Sequence, residues 1–332
     1  MGTNTTFETP LYELYQDASG NRIFIKRDDL LPFSLGGNKV RIAEAFLEDM
    51  ERKGCDVMIG YGDLRSNLCR VLANRCFQKK IPCYIICTGG DGTGHGETAN
   101  SWLMKLSGAV LVPCLKTEIA ETVDRITGQL KARGHRPYYI YGNRLGRGNE
   151  GTAAGAYAPV YREILEQGRR QNVDFDCIFL PSGTGATQSG LVCGQLLQGD
   201  RAEIIGISVS RDRERGTEII REGVESYFRK EAMELPADAA ERIHLEDGYR
   251  KGGYGCYDEE ILGCIREVFL RYGVPMDPTY TGKAFLGMRR YLKEHGIRGC
   301  RVLFLHTGGA PLFYDAVQKG ILNADRSRDT EE

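Results

Sequence analysis

The sequence predicts an α/β protein built from parallel or mixed sheets with helices on both faces. Short apolar runs alternate with stretches of helical spacing along most of the chain, the rhythm of β-α-β units that lay parallel strands side by side. Glycine-rich turns stand where three of those runs give way to the next segment. At 332 residues the chain is long enough for two lobes of roughly 100 to 200 residues each.

Taken in order, residues 22–26 (Arg-Ile-Phe-Ile-Lys) alternate like a short strand and 40–50 are spaced like a helix. Strands are expected over 57–60 and 83–87, with a helix over 66–79 between them. The segment 102–106 reads as a helix, 110–112 and 138–141 as strands, and 154–167 as a helix. A strand over 177–180, a helix over 187–197 and a strand over 204–209 follow. Residues 211–240 are charged and helical, and their expected role is a solvated face. Helices over 259–272 and 282–295, a strand over 302–305 and a frayed tail over 326–332 complete the chain. Ligands of such sheets bind beyond the carboxyl ends of the strands, so the turns that leave them are where chemistry is sought.

Composition narrows the function classes. With 44 basic against 45 acidic residues, no excess of positive charge argues for nucleic acid or a membrane surface. The apolar run at 82–87 is far short of the roughly 20 residues a membrane span needs. Gly2 and Thr6 match a loose myristoylation pattern, but no basic patch stands nearby as a second membrane signal. Eleven cysteines without a Cys-x-x-Cys pair suggest neither a disulfide framework nor a zinc knuckle, and fit small core residues in a reducing cytoplasm. The five histidines are isolated, no metal site is expected, and no serine lies in a Gly-x-Ser-x-Gly elbow.

The stretch Ser34-Leu35-Gly36-Gly37-Asn38-Lys39-Val40-Arg41 is the candidate catalytic segment. Two glycines let the backbone turn tightly and pass close to a flat partner. A lysine there can capture a carbonyl if a pocket lowers its pKa from about 10.4, because capture needs the neutral amine. The plain alternative is a solvated lysine in the first turn of a helix.

Among the glycine-rich loops, Pro181-Ser182-Gly183-Thr184-Gly185-Ala186-Thr187 follows an apolar strand and enters an apolar helix. Backbone N–H groups at the positive end of a helix cradle an anion, and small side chains let a phosphate come close. No Gly-Lys-Ser/Thr follows, and Gln188 spoils a dinucleotide fingerprint, so a single phosphate is expected. Gly146-Arg147-Gly148-Asn149-Glu150-Gly151 matches Gly-x-Gly-x-x-Gly literally, with Glu163 or Glu166 near the offset of a ribose-binding acid. Several residues separate it from the preceding strand. The segment 89–96 is glycine-rich but fits no phosphate template. His306-Thr307-Gly308-Gly309 ends another strand, and His306 reads as a satisfied structural histidine.

Lys26-Arg27-Asp28-Asp29 leading to Gly36-Gly37-Asn38-Lys39-Val40-Arg41 resembles the D-cysteine desulfhydrase and 1-aminocyclopropane-1-carboxylate deaminase family of pyridoxal 5'-phosphate enzymes. The resemblance continues through Ser66-Asn67, the loop at 183–187, residues 249–254, Asp277-Pro278-Thr279-Tyr280-Thr281-Gly282-Lys283 and His306-Thr307-Gly308-Gly309. It implies the two-domain fold of the tryptophan synthase β-subunit (fold type II), with 1–41 and 152–332 as the large phosphate-binding domain and 42–151 as the small one. It also implies a cytoplasmic homodimer with a small amino acid as substrate.

Carried over position by position, the resemblance makes Lys39 the cofactor lysine and Asn67 the partner of the ring hydroxyl. Gly183, Thr184, Gly185, Ala186 and Thr187 would cradle the phosphate. Ser66 would meet the substrate carboxylate, Tyr254 and Tyr280 would flank the substrate and tune proton transfer, and Thr281 would lie at the pyridine nitrogen. The implied reaction is α,β-elimination on a β-substituted amino acid, with D-cysteine leading. Thr281 carries that choice, because the cyclopropane deaminases have glutamate there and a hydroxyl supplies no charge. Thr187-Gln188, by contrast, resembles the cyclopropane branch. The chain also departs from the family pattern, with Ile42 in place of a usual lysine, Arg65 in place of a common glutamine, and Ala186 in place of a frequent glycine. Arg65 either pairs with an extra substrate carboxylate or points to solvent. Ring opening of the cyclopropane amino acid, β-replacement, a nicotinamide-dependent reductase using the 146–151 loop, and a non-enzymatic binding protein remain the alternatives.

Overall fold

A computed structural model of the chain describes residues 7–88 and 97–323. The Gly2 and Thr6 pattern, the glycine-rich segment 89–96 and the tail at 326–332 lie outside the described residues. Strand β1 (Leu11–Gln16) turns back antiparallel onto β2 (Arg22–Arg27). Helix α1 (Lys39–Arg52) then buries Val40, Ala43, Phe46, Leu47 and Met50 along one stripe, the spacing of an amphipathic helix. Next come β3 (Val57–Asp63), α2 (Asn67–Gln78), β4 (Cys83–Thr88), α3 (Ala99–Leu106), β5 (Val110–Pro113), α4 (Ile119–Ala132) and β6 (Pro137–Tyr139). Their strands form a parallel sheet in the order β5-β4-β3-β6.

Two consecutive helices, α5 (Glu150–Gly155) and α6 (Ala158–Arg170), stand where one was expected. Pro159 explains the break, since it fits the first turn of α6 but cannot donate inside a continuous helix. The chain continues through β7 (Cys177–Ser182), α7 (Ala186–Gln198), β8 (Glu203–Ser208), α8 (Arg213–Lys230), β9 (His244–Glu246), α9 (Glu259–Tyr272), α10 (Thr281–Glu294), β10 (Arg301–His306) and α11 (Ala310–Gln318). The second sheet has the order β1-β2-β10-β7-β8-β9, with only the β1–β2 pair antiparallel.

Several expectations are corrected here. The segment 211–240 is helical only through Lys230 and is not a solvated face, because Gly216, Ile220, Gly223, Val224 and Phe228 are buried. The strand expected over 138–141 ends at Tyr139. The amphipathic spacing of Val123, Ile126 and Leu130 in α4 and the short strands β1 and β9 are additions to the sequence reading. All eleven cysteines are free thiols, and Cys69, Cys76, Cys83, Cys87, Cys177, Cys193 and Cys264 are buried.

The six-stranded sheet packs α9 and α10 over one face through Ile23, Ile25, Phe179, Ile207, Phe285 and Phe304. What positions the site is the order of its centre. β2, β10 and β7 are neighbours and run parallel, so the loops at 28–38, 307–309 and 183–185 leave the same edge.

Candidate active site

Between β2 and α1 the backbone is forced into an unusual path. Phe33, Ser34 and Leu35 all have positive φ (76°, 44° and 60°), followed by Gly36 at 66° and Gly37 at 97°. Each non-glycine residue held there costs on the order of 1–3 kcal/mol, so the path needs external support. The buried Arg70 guanidinium, from α2, donates to Ser34 O and to Gly36 O, the latter at 3.3 Å. Gly37 meets another backbone directly, since a Cβ there would lie 3.0 Å from Thr307 O. A Cβ on Gly308 would in turn lie 2.6 Å from Gly37 Cα, and no residue but glycine fits both sides of that contact.

The turn delivers Lys39 to the first position of α1. Its side chain is partly buried, and that burial lowers its amine from the ordinary lysine value to about 8. Among the described residues no carboxylate pairs with it. Asn38 fastens the turn on both sides, its N–H donating to Thr307 O at 2.9 Å and its amide Nδ2 to Thr187 Oγ1 at 2.8 Å. Lys39 thus follows directly on a residue tied to Thr187 of the 183–187 loop.

That loop runs from β7 into α7 with Gly185 at φ 81°. Among the described residues nothing accepts a hydrogen bond from the N–H groups of Gly183, Thr184, Gly185, Ala186 and Thr187. A row of unspent donors at the start of a helix of 13 residues is an anion cradle. Ile219 and Ile220 of α8 roof it, lying 3.3 and 3.1 Å from where a Cβ on Gly185 would be. Arg211, which no carboxylate pairs among the described residues, donates to Gly183 O, so a guanidinium stands at the cradle although Ile42 is a buried core residue.

Tyr280 borders the same loop, its ring 3.8 Å from the position of a Cβ on Gly183. Its hydroxyl is 2.8 Å from that of Tyr254, with the rings edge to face. Burial raises the pKa of both phenols, so both stay protonated. Tyr254 is brought in by Lys283, whose amine is buried inside α10 and donates to Arg250 O at 2.8 Å and Gly253 O at 2.6 Å. Thr281 is fully buried. Its hydroxyl donates to Asp277 Oδ1 at 3.0 Å and accepts the Asp277 N–H at 2.9 Å. One lone pair remains, so the group offers an acceptor and no proton. Asp277 itself is fully buried, and burial raises its pKa against the opposing hydrogen bonds from Thr279, Tyr280 and Thr281.

Ser66 caps α2, accepting from Cys69 N at 3.2 Å, which leaves its hydroxyl proton free to donate. Asn67 Oδ1 accepts from Asn100 Nδ2 at 3.0 Å, so the amide nitrogen of Asn67 is left to face a ligand. Arg65 lies over the Tyr254 ring, its Cζ 5.7 Å from the centroid. The described contacts run from Asn38, the neighbour of Lys39 in the chain, to Thr187, and from Gly183 of the same loop through Tyr280 and Tyr254 to Arg65. Ser66 and Asn67 enter through α2, whose Arg70 supports the lysine turn. Sequence reasoning gave no role to Arg70 or Arg211, and named Asn38 only as part of the glycine turn and Asp277 only within a motif.

The 146–151 loop does not have the geometry of a dinucleotide site. Gly142 bridges Gly148 antiparallel, a small hairpin where a strand-to-helix turn is needed. Gly148 N–H donates to Glu150 at 2.9 Å and Gly151 N–H to Ser226 Oγ at 3.0 Å. The adjoining groove of about 680 Å³ contains Asp49, Lys53, Glu222 and Arg229 but none of the residues around Lys39. Glu163 is spent on Lys26 at 2.5 Å. His306 is the satisfied histidine expected, with Nε2 donating to Pro275 O at 2.8 Å and Nδ1 accepting from Gly308 N at 3.3 Å.

Residues 3–308 match the family model described as pyridoxal-phosphate dependent enzyme. The chain is 32% identical over 320 residues to a D-cysteine desulfhydrase of Klebsiella pneumoniae (strain 342), covering 92% of this chain and 93% of that protein. It is 33% identical over 318 residues to a D-cysteine desulfhydrase of Serratia proteamaculans (strain 568), covering 92% of both. Among solved structures, an ACC deaminase homologue superposes with a TM-score of 0.82 at 29% identity, covering 95% of this chain and 93% of the other.

Proposed function

The chain belongs to the pyridoxal-phosphate dependent enzyme family, and from that premise we propose that it is a lyase for β-substituted amino acids, cleaving D-cysteine to pyruvate, ammonia and sulfide. The observation that carries this reading is the hydrogen bond from Asn38 to Thr187, which ties the start of the lysine helix to the start of the cradle helix. The residues present fit the cofactor. The partly buried Lys39 amine, which no carboxylate pairs among the described residues, would take the aldehyde, and the unspent N–H groups at 183–187, with Arg211 beside them, would hold the phosphate. When bound, pyridoxal phosphate supplies an electron sink for charge developing at the substrate's α-carbon.

The rest is done by the chain's own groups. The Lys39 amine, close to half neutral near pH 8, takes the α-proton. The Ser66 hydroxyl and the N-terminal N–H groups of α2 hold the substrate carboxylate. The free Asn67 amide fixes the ring hydroxyl. The Tyr254 and Tyr280 hydroxyls, both protonated and 2.8 Å apart, place a proton for the departing thiolate. Thr281, its proton already given to Asp277, would lie at the ring nitrogen as an uncharged acceptor. Two lobes, 1–41 with 152–332 and 42–151, close around this site, a division favoured by the grouping of β3 through β6 in their own sheet. A homodimer is proposed through the exposed apolar face of Phe77, Trp102 and Leu106, and a cytoplasmic setting through the buried free thiols.

Keto-acid release from D-cysteine, D-serine and 1-aminocyclopropane-1-carboxylate tests the reading. Pyruvate with equimolar sulfide is expected from D-cysteine; ring opening is the second reading, favoured by the superposed ACC deaminase homologue. Keto acid from none of them, with cofactor bound, overturns the substrate assignment. Lys283→Met is expected to lower turnover by about 10- to 100-fold, the cost of misplacing a reacting group by about 1 Å. Cofactor absorbance should stay unchanged, because Lys283 acts through Tyr254; loss of the cofactor in this variant speaks against that role.

A further inference from the structure

We propose that Arg65 selects substrates whose β-substituent itself carries negative charge, an oxyanion such as a phosphate ester. This rests on the lyase reading and adds to D-cysteine a second class of β-substituted substrate. The backbone of Arg65 is pinned, its N–H donating to Asp63 Oδ1 at 2.8 Å and its carbonyl accepting from Asn100 Nδ2 at 2.7 Å. The guanidinium is held as well. It lies over the face of Tyr254, 5.7 Å from the centroid, and packs on Gly255, where a Cβ would come 2.6 Å from Nη1. Gly255 has φ 74°, a backbone that favours glycine beneath the arginine.

Among the described residues no carboxylate lies within ion-pair distance of Arg65 and no acceptor takes its side-chain N–H groups. By contrast Arg27 and Arg41, elsewhere on the lysine side, are both paired. A planar fork of five donors, fixed on an aromatic face with no anion opposite, is built for bidentate contact with a carboxylate or phosphate. The α-carboxylate of the substrate already has Ser66 and the start of α2. Arg65 lies against Tyr254, whose hydroxyl meets Tyr280 at 2.8 Å. The proposed function gives those two hydroxyls to the leaving group, so we place the charge that Arg65 answers on the β-substituent.

With O-phosphoserine the step balances without an oxidant or reductant. Lys39 removes the α-proton, the Cβ–O bond breaks and its electron pair leaves on the phosphate. The freed enamine adds water, so that O-phosphoserine and water give pyruvate, ammonia and inorganic phosphate.

The test compares both enantiomers of O-phosphoserine with β-chloroalanine, whose substituent is neutral, on the cofactor-loaded enzyme and on Arg65→Gln. A preference for the phosphorylated substrate is expected in the unaltered enzyme. In Arg65→Gln the ratio of the two kcat/KM values should fall by about 30- to 100-fold, as for loss of a charged hydrogen bond. Arg65→Lys should lie between. The dissociation constant of O-phosphoserine, read from its perturbation of the cofactor absorbance, should rise by a similar factor. A parallel loss on both substrates overturns the proposal, since Arg65 would then act only by packing on Tyr254. Turnover of β-chloroalanine without any of O-phosphoserine overturns it while leaving the lyase reading intact. Keto acid from neither overturns both.

Discussion

Lys39→Ala is expected to lower kcat/KM by about 10⁴-fold or more and to abolish the visible absorbance of the bound cofactor. The variant removes the covalent anchor and the base together, and a positioned base alone contributes roughly 10²- to 10⁴-fold. Folding should survive, because the amine has no partner among the described residues and its burial costs stability. Phosphate contacts at 183–187 are untouched, so the variant should still bind the cofactor reversibly and weakly. Normal absorbance in Lys39→Ala, or activity within tenfold of the parent, would sink the assignment of this lysine. The pH dependence follows from the same group. The amine must be neutral to capture an aldehyde, and burial brings its pKa to about 8. The rate at which apo-protein takes up cofactor should therefore rise about tenfold per pH unit below 8 and level off above it. A lysine in water would keep rising to beyond pH 10. Stopped-flow absorbance across pH 6 to about 10 distinguishes the two profiles.

How much of this was legible in the sequence depends on whether the cause was local. The turn of Gly36 and Gly37, the strand-to-helix loop at 183–187 and the apolar strands carry their reasons in adjacent residues, and all stand where expected. Alternation predicted β2 and short apolar runs predicted β7 and β10, but not that they lie side by side, which long-range pairing decides. Residues 154–167 have the right spacing for one helix, and a single proline overrode it. The charged segment 211–240 looked solvated because its buried face uses Gly216 and Gly223, which add nothing to an apolar count; Gly223 lets α8 lie close on Ser189 of the cradle helix, and Gly216 on Leu245 of β9. At the site, Ser66, Tyr254 and Tyr280 were reached only through motif resemblance. The roles of Asn38, Arg70 and Asp277 escaped because each works through a partner distant in sequence or through backbone groups, and such partners leave no pattern. Thr281 shows the converse. Its identity was plain, but that its proton is already given to Asp277 is a fact of three dimensions.

The second large effect concerns the charges that hold the lysine helix in place. Asp28 is fully buried and accepts from Thr9 Oγ1 at 2.7 Å, from the Tyr157 hydroxyl and from Arg41 Nε at 3.3 Å. Arg41 also pairs with Glu163 at 3.2 Å, and Glu163 with Lys26 at 2.5 Å. Two cations and two anions thus close into a neutral buried cluster, and Arg41 lies two positions beyond Lys39 on α1. The Asp28 carbonyl accepts the Gly37 N–H at 2.9 Å, so the cluster and the lysine turn share a residue. Removing one anion strands a buried cation, which costs about 3–5 kcal/mol. Asp28→Ala should lose that much in urea unfolding, and Arg41→Met in the same chain should restore part of it, because the stranded charge is then gone. Acid titration supplies an independent check. Burial alone would raise the Asp28 pKa, but Arg41 and Lys26 outweigh it and hold the carboxyl below its ordinary value. Its folded pKa lies below the unfolded one, so its contribution is complete above the ordinary aspartate range and is lost as pH falls through the folded pKa. The parent should lose stability below about pH 4 more steeply than Asp28→Ala does. Equal urea midpoints for parent and variant at neutral pH, together with parallel acid curves, would mean that Arg41 and α1 are held by packing alone.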